Sequence, residues 1–407
     1  FTKAVPHATK LTDARDAFLR AIFAVGLGRL GGNAPDVIRS LQAEIDAHDA
    51  PNRALLRLYI ARLSHFLTKG AVDAWKKEVD AVTSSLPRPE DKRVVEWLVK
   101  RSLWLRPAPP EEPPPGLRPS LERLLAAAEK SADDLAGAVA KVQDMSGLYD
   151  YEVATAVERM LRGALASGRD EIMRATLLAA LKGLHRIKML AHRVRALGAC
   201  VRAAATLEDA ELVDQCLDGI AAAARAPNVP SVRDMLVAVK PALSALRRLG
   251  AAEAAQRFLS SLEPVALSNE RGENGPLLAA LSDGFLQLGD VDKAKSLVTL
   301  ALQRALHNPS HVDRYEAGAA ILEALAHWDL ETRAQQCGAI LAELPRFTDT
   351  FTTSRFFSTH QILIAERLVE TVVDDVTLRS DRLQAYLDGE EQVIRRRILQ
   401  QWSALCR

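Results

Sequence analysis

Apolar residues recur along most of the chain at the three- and four-residue spacing of amphipathic helices. Leu278, Leu281 and Phe285, for example, lie on one face of a helix. The apolar residues are mostly Ala, Leu and Val, and aromatic residues make up only 5% of the chain. Because Ala and Leu lose little side-chain freedom in a helix, this pattern predicts an all-α fold.

Turn signals separate the predicted helices at regular intervals. Gly289 suits the left-handed position that ends a helix, and Asp290 can cap the helix that follows. A second copy of the pattern surrounds Gly250, roughly 39 residues earlier, a spacing within the usual range of repeat periods. The spacing predicts turns near residues 31, 70, 131, 168, 206, 250, 289 and 328.

The stretch around the turn at Gly289 has a fixed order of bulky, small and aromatic positions. Its members are Leu278, Leu281, Ser282, Phe285, Gly289, Asp290, Ala294, Val298 and Ala301. This order resembles the tetratricopeptide repeat, with the expected proline displaced to Pro309, and the period is near that of HEAT-type repeats. The resemblance implies an α-solenoid, a superhelix of stacked antiparallel helix hairpins that binds partners on its concave face.

A proline-rich segment divides the chain. Residues 106–119 contain seven prolines, which remove backbone donors and prevent a continuous helix. We therefore predict an N-terminal helical-repeat segment over 1–105, a linker over 106–119 and a main helical-repeat array over 120–407. The linker interpretation is favoured over a docking motif for an SH3-like partner.

Composition restricts the possible functions. The formal net charge is +1, whereas a general nucleic-acid binder is clearly basic. Charged residues interrupt every apolar stretch well below the length that a membrane-spanning helix needs, so we expect no membrane insertion. The four cysteines form no C-x-x-C pair, which fits a reducing, cytoplasmic compartment, and the Ala- and Arg-rich composition is typical of a GC-rich bacterial source.

The motifs that suggest chemistry lack the context they need. Residues 26–31 match G-x-G-x-x-G, but the next apolar segment has helical spacing and no βαβ pattern follows. The nine histidines show no metal-ligand spacing, and no grouped nucleophile, base and orienting residue is evident. We therefore expect no catalytic residues, no bound cofactor, no metal site and no enzymatic activity in this chain.

Two groups of residues are candidates for binding a partner. The first is a basic run in which equivalent residues are seven apart and share a helix face: His185, Arg186, His192 and Arg193. The second is an aromatic cluster interleaved with hydroxyl residues, a composition typical of interface hot spots: Phe351, Arg355, Phe356 and Phe357. A solvated helix face and packing at the end of the array are the alternative interpretations of the two groups.

The sequence therefore predicts a non-catalytic scaffold or adaptor that binds another protein. Arrays similar to tetratricopeptide repeats include effectors and localisation hubs, and the resemblance permits small GTPases and secretion or motility components as partners. Because the chain begins with Phe1, we also consider a regulatory or sensor module of a larger enzyme, such as a multidomain ATPase. A nucleic-acid-binding solenoid is a third possibility, against which the low net charge argues.

Overall fold

The computed structural model describes residues 5–30, 34–48, 50–68, 72–105, 117–226, 232–268, 274–348, 358–373 and 390–405. These residues form 19 α-helices and four short 3-10 helices, and none of them lies in a strand. The predicted all-α fold is confirmed. None of the described helices combines the length and apolarity needed to span a bilayer.

Internal contacts divide the chain into two compact units. Unit 1 comprises Phe1–Glu112 and Asn308–Arg407, and unit 2 comprises Pro113–His307. The first division falls inside the segment 106–119, and the second falls inside the segment 120–407 that was predicted as one array. The predicted domain boundaries stay a prediction, and residues 106–116 lie outside the described part of the chain.

Unit 1 joins helices from both ends of the chain. Helix α1 is central and contacts α2, α3, α18 and α19, while α18 also contacts α16 and α17. Its nine described helices are α1 Val5–Arg29, α2 Ala34–Glu44, α3 Ala50–Thr68, α4 Val72–Ser84, α5 Pro89–Arg101, α16 His311–Leu325, α17 Leu330–Ala342, α18 Thr359–Val373 and α19 Glu390–Leu405.

A glycine sets the close approach of α18 to α1. Gly26 lies inside α1, and a Cβ atom at this position would overlap the side chain of Val369. Residues 21–25 are helical and buried, so the strand that a dinucleotide fingerprint requires is absent from this described segment. Gly26 is therefore a packing residue within a helix.

Unit 2 consists of helices that pack in neighbouring pairs. Helices α6, α8, α10, α12 and α14 contact one another in chain order and form one layer. In a second layer, α7 contacts α9 and α11 contacts α13. The ten helices are α6 Pro119–Lys130, α7 Leu135–Asp144, α8 Asp150–Ser167, α9 Asp170–Gly183, α10 Leu190–Thr206, α11 Ala210–Ala224, α12 Val232–Leu249, α13 Ala252–Ser268, α14 Gly275–Gln287 and α15 Val291–His307.

One turn conformation recurs between the two layers of unit 2. A residue with positive φ follows α8, α10, α12 and α14, and these residues are Gly168, Glu208, Gly250 and Gly289. At the last three turns, the next backbone N–H donates to the carbonyl five residues earlier, at 3.0 to 3.1 Å. This hydrogen bond is typical of the Schellman motif, which satisfies the last carbonyls of a helix.

The turn at Gly289 shows both features predicted from the sequence. Its φ is 83°, and the Asp290 carboxylate accepts a hydrogen bond from the backbone N–H of Lys293 at 3.2 Å. The predicted turns near 131, 168, 206, 250, 289 and 328 all fall between consecutive helices. Those near 31 and 70 lie outside the described residues.

Ion pairs join helices that are two positions apart in unit 2. Arginine or lysine on one helix meets a carboxylate on the next helix of the same layer, or on its N-cap residue. The pairs are Arg159–Glu122 at 2.8 Å, Arg195–Glu158 at 2.6 Å, Arg174–Asp209 at 2.6 Å, Arg257–Asp214 at 3.2 Å and Lys293–Glu263 at 2.6 Å. Such partly exposed pairs contribute about 1 kcal/mol or less each to the free energy of unfolding. Their main effect is to favour one register between neighbouring helices.

Glu208 allows a test of the recurring turn. Its φ of 54° is strained for a residue with a Cβ atom, and its side chain is exposed. We predict that Glu208→Gly raises the free energy of unfolding by about 0.5–1 kcal/mol, because the relief of strain exceeds the added entropy of the unfolded chain. Urea unfolding followed by circular dichroism measures this change.

The matched control is Glu211→Gly in the first turn of α11, where the backbone is helical and the side chain is also exposed. There, glycine is expected to cost about 1 kcal/mol. Equal destabilisation by the two substitutions would contradict the left-handed turn at Glu208.

Candidate functional site

A buried carboxylate lies at the centre of unit 1. The side chain of Glu366 on α18 is fully buried and accepts three hydrogen bonds. The donors are the Tyr59 hydroxyl of α3, the Ser102 hydroxyl at 2.5 Å and the backbone N–H of Leu103 at 2.8 Å. Ser102 is held in place because its Oγ accepts the backbone N–H groups of Trp104 and Leu105. The carboxylate thus ties α18 to α3 and to the end of α5.

Burial has the largest effect on the pKa of the Glu366 carboxyl. It raises the pKa of Glu366 to about 7, although the hydrogen bonds from Ser102, Tyr59 and Leu103 act in the opposite direction. Burial also raises the pKa of Tyr59, and the adjacent charge of Glu366 raises it further. Glu366 therefore changes its charge near neutral pH.

A second carboxylate lies one helical turn along α18. Glu370 accepts hydrogen bonds from the Arg29 guanidinium of α1 and from the Trp104 indole N–H. Both donors have low exposure, and Trp104 is only 2% exposed. Since residues four apart lie on the same helix face, Glu366 and Glu370 together fix α1 and the 102–105 segment against α18.

Beside Glu370 lies a partly open cavity of about 590 Å³ that is lined by residues of unit 1 alone. Its polar lining is rich in arginine, and the remaining walls are apolar. The lining residues are Arg29, Arg62, Leu103, Trp104, Leu322, Glu323, Ala326, His327, Arg367, Glu370 and Thr371. Glu366 is not among them, so its carboxyl does not line the cavity.

Arg62 occupies an unfavourable electrostatic position in this cavity. Burial lowers the pKa of its guanidinium, and the positive charge of Arg29 lowers it further. Its guanidinium lies over the Trp75 ring, 5.3 Å from the ring centre. An added negative charge nearby would stabilise its charged form. In the described part of the chain, no group of three or more His, Cys, Asp and Glu side chains could hold a metal ion.

Sequence reasoning missed this site. Its members come from distant parts of the chain, and Tyr59 and Glu366 are 307 residues apart. One signal was present, since Glu366 and Glu370 lie four apart in a helix whose other positions are mainly apolar. Charged residues at such spacing on a buried face need partners, and that requirement points to a site.

The four predicted basic residues lie around the turn between α9 and α10. Arg186 pairs with Asp144 at 2.9 Å and donates to the carbonyl of Gln143 at 2.7 Å. Arg193 is half-buried and donates to the carbonyl of Ile187 at 2.8 Å. Arg193 therefore stabilises the turn itself, whereas Arg186 is the more exposed of the two.

The two predicted histidines, His185 and His192, contact different groups. The Nδ1 atom of His185 lies 2.9 Å from the carbonyl oxygen of Lys182. His192 lies beside the ring of Tyr151, with 6.3 Å between ring centres. The role of these four residues in partner binding stays a prediction, as does that of Phe351, Arg355, Phe356 and Phe357, which lie outside the described residues.

An aromatic surface adjoins His192. We call it the Tyr149 surface and define it by the residues Arg118, Tyr149, Tyr151, Met189 and His192. Tyr149 is 66% exposed and stacks on Tyr151, while Met189 is 59% exposed. The Arg118 guanidinium lies 5.6 Å from the centre of the Tyr149 ring. This surface was not predicted from the sequence; Tyr149 and Tyr151 flank Asp150, the first residue of α8.

The Tyr149 surface follows the starts of three helices in one layer. Arg118, Tyr149 and Met189 are the N-cap residues of α6, α8 and α10. The Glu152 carboxylate accepts from the Arg118 guanidinium and from the Tyr149 backbone N–H, and the hydrogen bond from Arg118 is the main cause of its lowered pKa. The Met189 backbone N–H donates to Asp150 at 2.6 Å. These bonds hold the exposed side chains in a continuous edge.

The raised pKa of Glu366 predicts a pH dependence of stability. A carboxyl with a higher pKa in the folded chain binds its proton more tightly there, so its contribution falls as pH rises from about 4.5 to about 7. Over this window, we expect the wild type to lose about 3 kcal/mol relative to Glu366→Gln, which cannot ionise. Urea unfolding at several pH values measures the difference.

The glutamine variant is expected to be less stable at every pH, because its amide N–H₂ meets one of the three donors. The informative quantity is therefore how the difference in free energy of unfolding between the wild type and Glu366→Gln changes with pH. Glu96→Gln, at an exposed position of α5, is the matched control and should follow the wild type. A difference between wild type and Glu366→Gln that is constant from pH 4.5 to pH 8 would contradict the buried, raised-pKa carboxyl.

Comparisons with known proteins identify a family. The model of a family described as a domain of unknown function, DUF8586, matches residues 14–401. No curated protein and no solved structure matches the chain. The family match covers nearly the whole sequence and includes helices of both units. The chain is therefore a member of the DUF8586 family.

Proposed function

We propose that this protein is a non-catalytic scaffold or adaptor that binds a partner protein through unit 2, and that unit 2 is a solenoid of helix hairpins similar to tetratricopeptide and HEAT arrays. The observation that carries the proposal is the stacking of α6, α8, α10, α12 and α14 on one another in chain order. This arrangement is typical of arrays in which each repeat contacts only its neighbours.

Two further features support the repeat interpretation. The positive-φ turn residues Gly168, Glu208, Gly250 and Gly289 recur at a nearly constant spacing, which is close to the HEAT period. Ion pairs join successive helices in both layers, as expected when equivalent surfaces meet at each step. Most of these arginines are thus engaged within the array, which gives little support to a nucleic-acid-binding solenoid.

The Tyr149 surface is the proposed contact with the partner. Tyrosine, arginine and methionine are enriched at protein interfaces, where aromatic anchors supply much of the binding energy. Tyr149 and Met189 are exposed, and Tyr151, on which Tyr149 stacks, lies beside the ring of His192. This chemistry fits a partner segment with an apolar side chain next to an acidic one. The resemblance to tetratricopeptide repeats favours the concave face, whereas side-chain exposure favours this edge.

A second candidate function is a regulatory or sensor module. The cavity of unit 1 favours it, because a cation-lined cavity of this volume can bind a small ligand. The scaffold proposal does not depend on this cavity, since the Tyr149 surface belongs to unit 2 alone.

Photo-crosslinking tests the scaffold proposal. We expect a benzoylphenylalanine placed at Tyr149 in the full chain to crosslink a specific protein in cells, identified by mass spectrometry. The same amino acid at Glu211 is the matched control. Glu211 is exposed in the first turn of α11, which follows the end of α10 opposite to Met189, and the 17 residues of α10 span about 25 Å. A third position, Phe356, tests the predicted aromatic cluster.

The identified partner should bind Tyr149→Ala about thirtyfold more weakly, a loss of about 2 kcal/mol. Because Tyr149 is largely exposed, this substitution should leave the fold intact. Arg186→Glu tests whether the predicted basic residues contribute to partner binding. Arg193→Glu is less suitable, because it would also remove the hydrogen bonds that hold the turn. The absence of a crosslink at Tyr149, or the same products from Tyr149 and Glu211, would contradict the proposal.

A further inference from the structure

The cavity of unit 1 has the volume of a small-molecule site and is partly open to solvent. Its volume of about 590 Å³ lies within the range of about 300–1,000 Å³ that is usual for ligand pockets. Its walls come from α1, α3, α16, α18 and the 103–104 segment. All of these elements belong to unit 1 and are described.

Arginines outnumber glutamates in the lining of the cavity. Three arginines face two glutamates, and one of these glutamates, Glu370, already accepts from Arg29 and from Trp104. Arg62 and Arg367 line the same cavity, and each can bind an incoming group in addition to its present partners. Arg367 also hydrogen-bonds the Tyr315 hydroxyl, but a guanidinium has five N–H donors and can bind a second acceptor.

An added anion would stabilise the charged form of Arg62. Arg62 is half-buried, and the positive charge of Arg29 repels its guanidinium. The guanidinium lies over the Trp75 ring. Both burial and the nearby cation disfavour its charged form. An oxyanion beside it would offset both effects, and a planar guanidinium can bind a carboxylate or phosphate through two parallel hydrogen bonds.

The remaining walls restrict the ligand further. Leu103, Leu322, Ala326 and the Trp104 ring provide apolar surface next to the arginines. A free inorganic ion would leave this surface uncovered, whereas an organic anion would bury it at about 25 cal/mol per Å².

We propose that the unit 1 cavity binds a small organic oxyanion, with its carboxylate or phosphate group held between Arg62 and Arg367 and its apolar body against Leu322 and Trp104. This site goes beyond the scaffold function, because it lies in a different unit from the Tyr149 surface. Carboxylate and phosphate share the same recognition chemistry here, and the experiment distinguishes them.

Isothermal titration calorimetry of the full chain with benzoate, phenyl phosphate and inorganic phosphate, at constant ionic strength, tests the site. We expect saturable binding of benzoate or phenyl phosphate to one site, and weaker binding of inorganic phosphate. Arg62→Gln and Arg367→Gln should each weaken binding at least tenfold, since each removes charged hydrogen bonds. Arg39→Gln, at an exposed position of α2 in the same unit, is the matched control and should bind as the wild type does.

If Arg62→Gln fails to fold by circular dichroism, Arg367→Gln and Ala326→Phe decide the question. Ala326→Phe fills the cavity without removing a charge and should also abolish binding. The proposal is overturned if neither organic anion binds at about 10 mM, a concentration that would fill a site with a millimolar Kd. It is also overturned if Arg367→Gln and Ala326→Phe both bind like the wild type.

Discussion

The helices of unit 2 depend on their neighbours for burial. Isolated helices shorter than about 15 residues are marginal in water, because nucleation is costly and propagation gains little. Burial of a Leu or Val side chain contributes about 1.5–3 kcal/mol, and α10 alone buries Val194, Leu197 and Val201. These gains greatly exceed those of the partly exposed ion pairs, so apolar stacking stabilises unit 2 and the ion pairs favour one register.

Close packing makes this stacking sensitive to single atoms. A Cβ atom at Gly198 of α10 would lie 2.9 Å from the Ala238 Cα atom and 3.0 Å from the Val237 carbonyl oxygen of α12. Both are backbone atoms that cannot rotate away. The approach of α10 to α12 therefore requires glycine, and the regular turns allow the same layer to continue through α14.

Unit 1 is organised around buried polar groups instead. Glu366 and Glu370 of α18 hold α1, α3 and the 102–105 segment through hydrogen bonds. A buried carboxylate is costly unless its oxygen atoms are satisfied, and three donors satisfy those of Glu366. The same arrangement places Arg29, Arg62 and Arg367 around one cavity, which links the packing of this unit to its proposed ligand.

Local features of the fold could be predicted from the sequence, whereas long-range features could not. Helical periodicity and the turns at Gly250 and Gly289 depend on neighbouring residues, so the pattern reveals them. The left-handed turn at Glu208 has no glycine to indicate it. The contact of α1 with α18 joins segments from opposite ends of the chain, and the residues around Gly26 do not indicate that it packs against Val369.

The same distinction applies to the candidate sites. The basic turn residues His185, Arg186, His192 and Arg193 are close in sequence and were found together. The cavity residues are distant in sequence, and no local motif unites them. Tyr149 and Met189 become neighbours only because α8 and α10 stack, as the bond from Met189 to Asp150 shows.

Hydrogen exchange of the full chain carrying Gly198→Leu tests the stacking of unit 2 most directly. The larger side chain should separate α10 from α12, and the account predicts faster amide exchange in α10, α12 and the helices stacked on them, α8 and α14. Gly137→Leu on α7, where a Cβ atom meets open space, is the control and should leave these helices protected. Faster exchange confined to α10, with α12 as protected as in the wild type, would contradict the account.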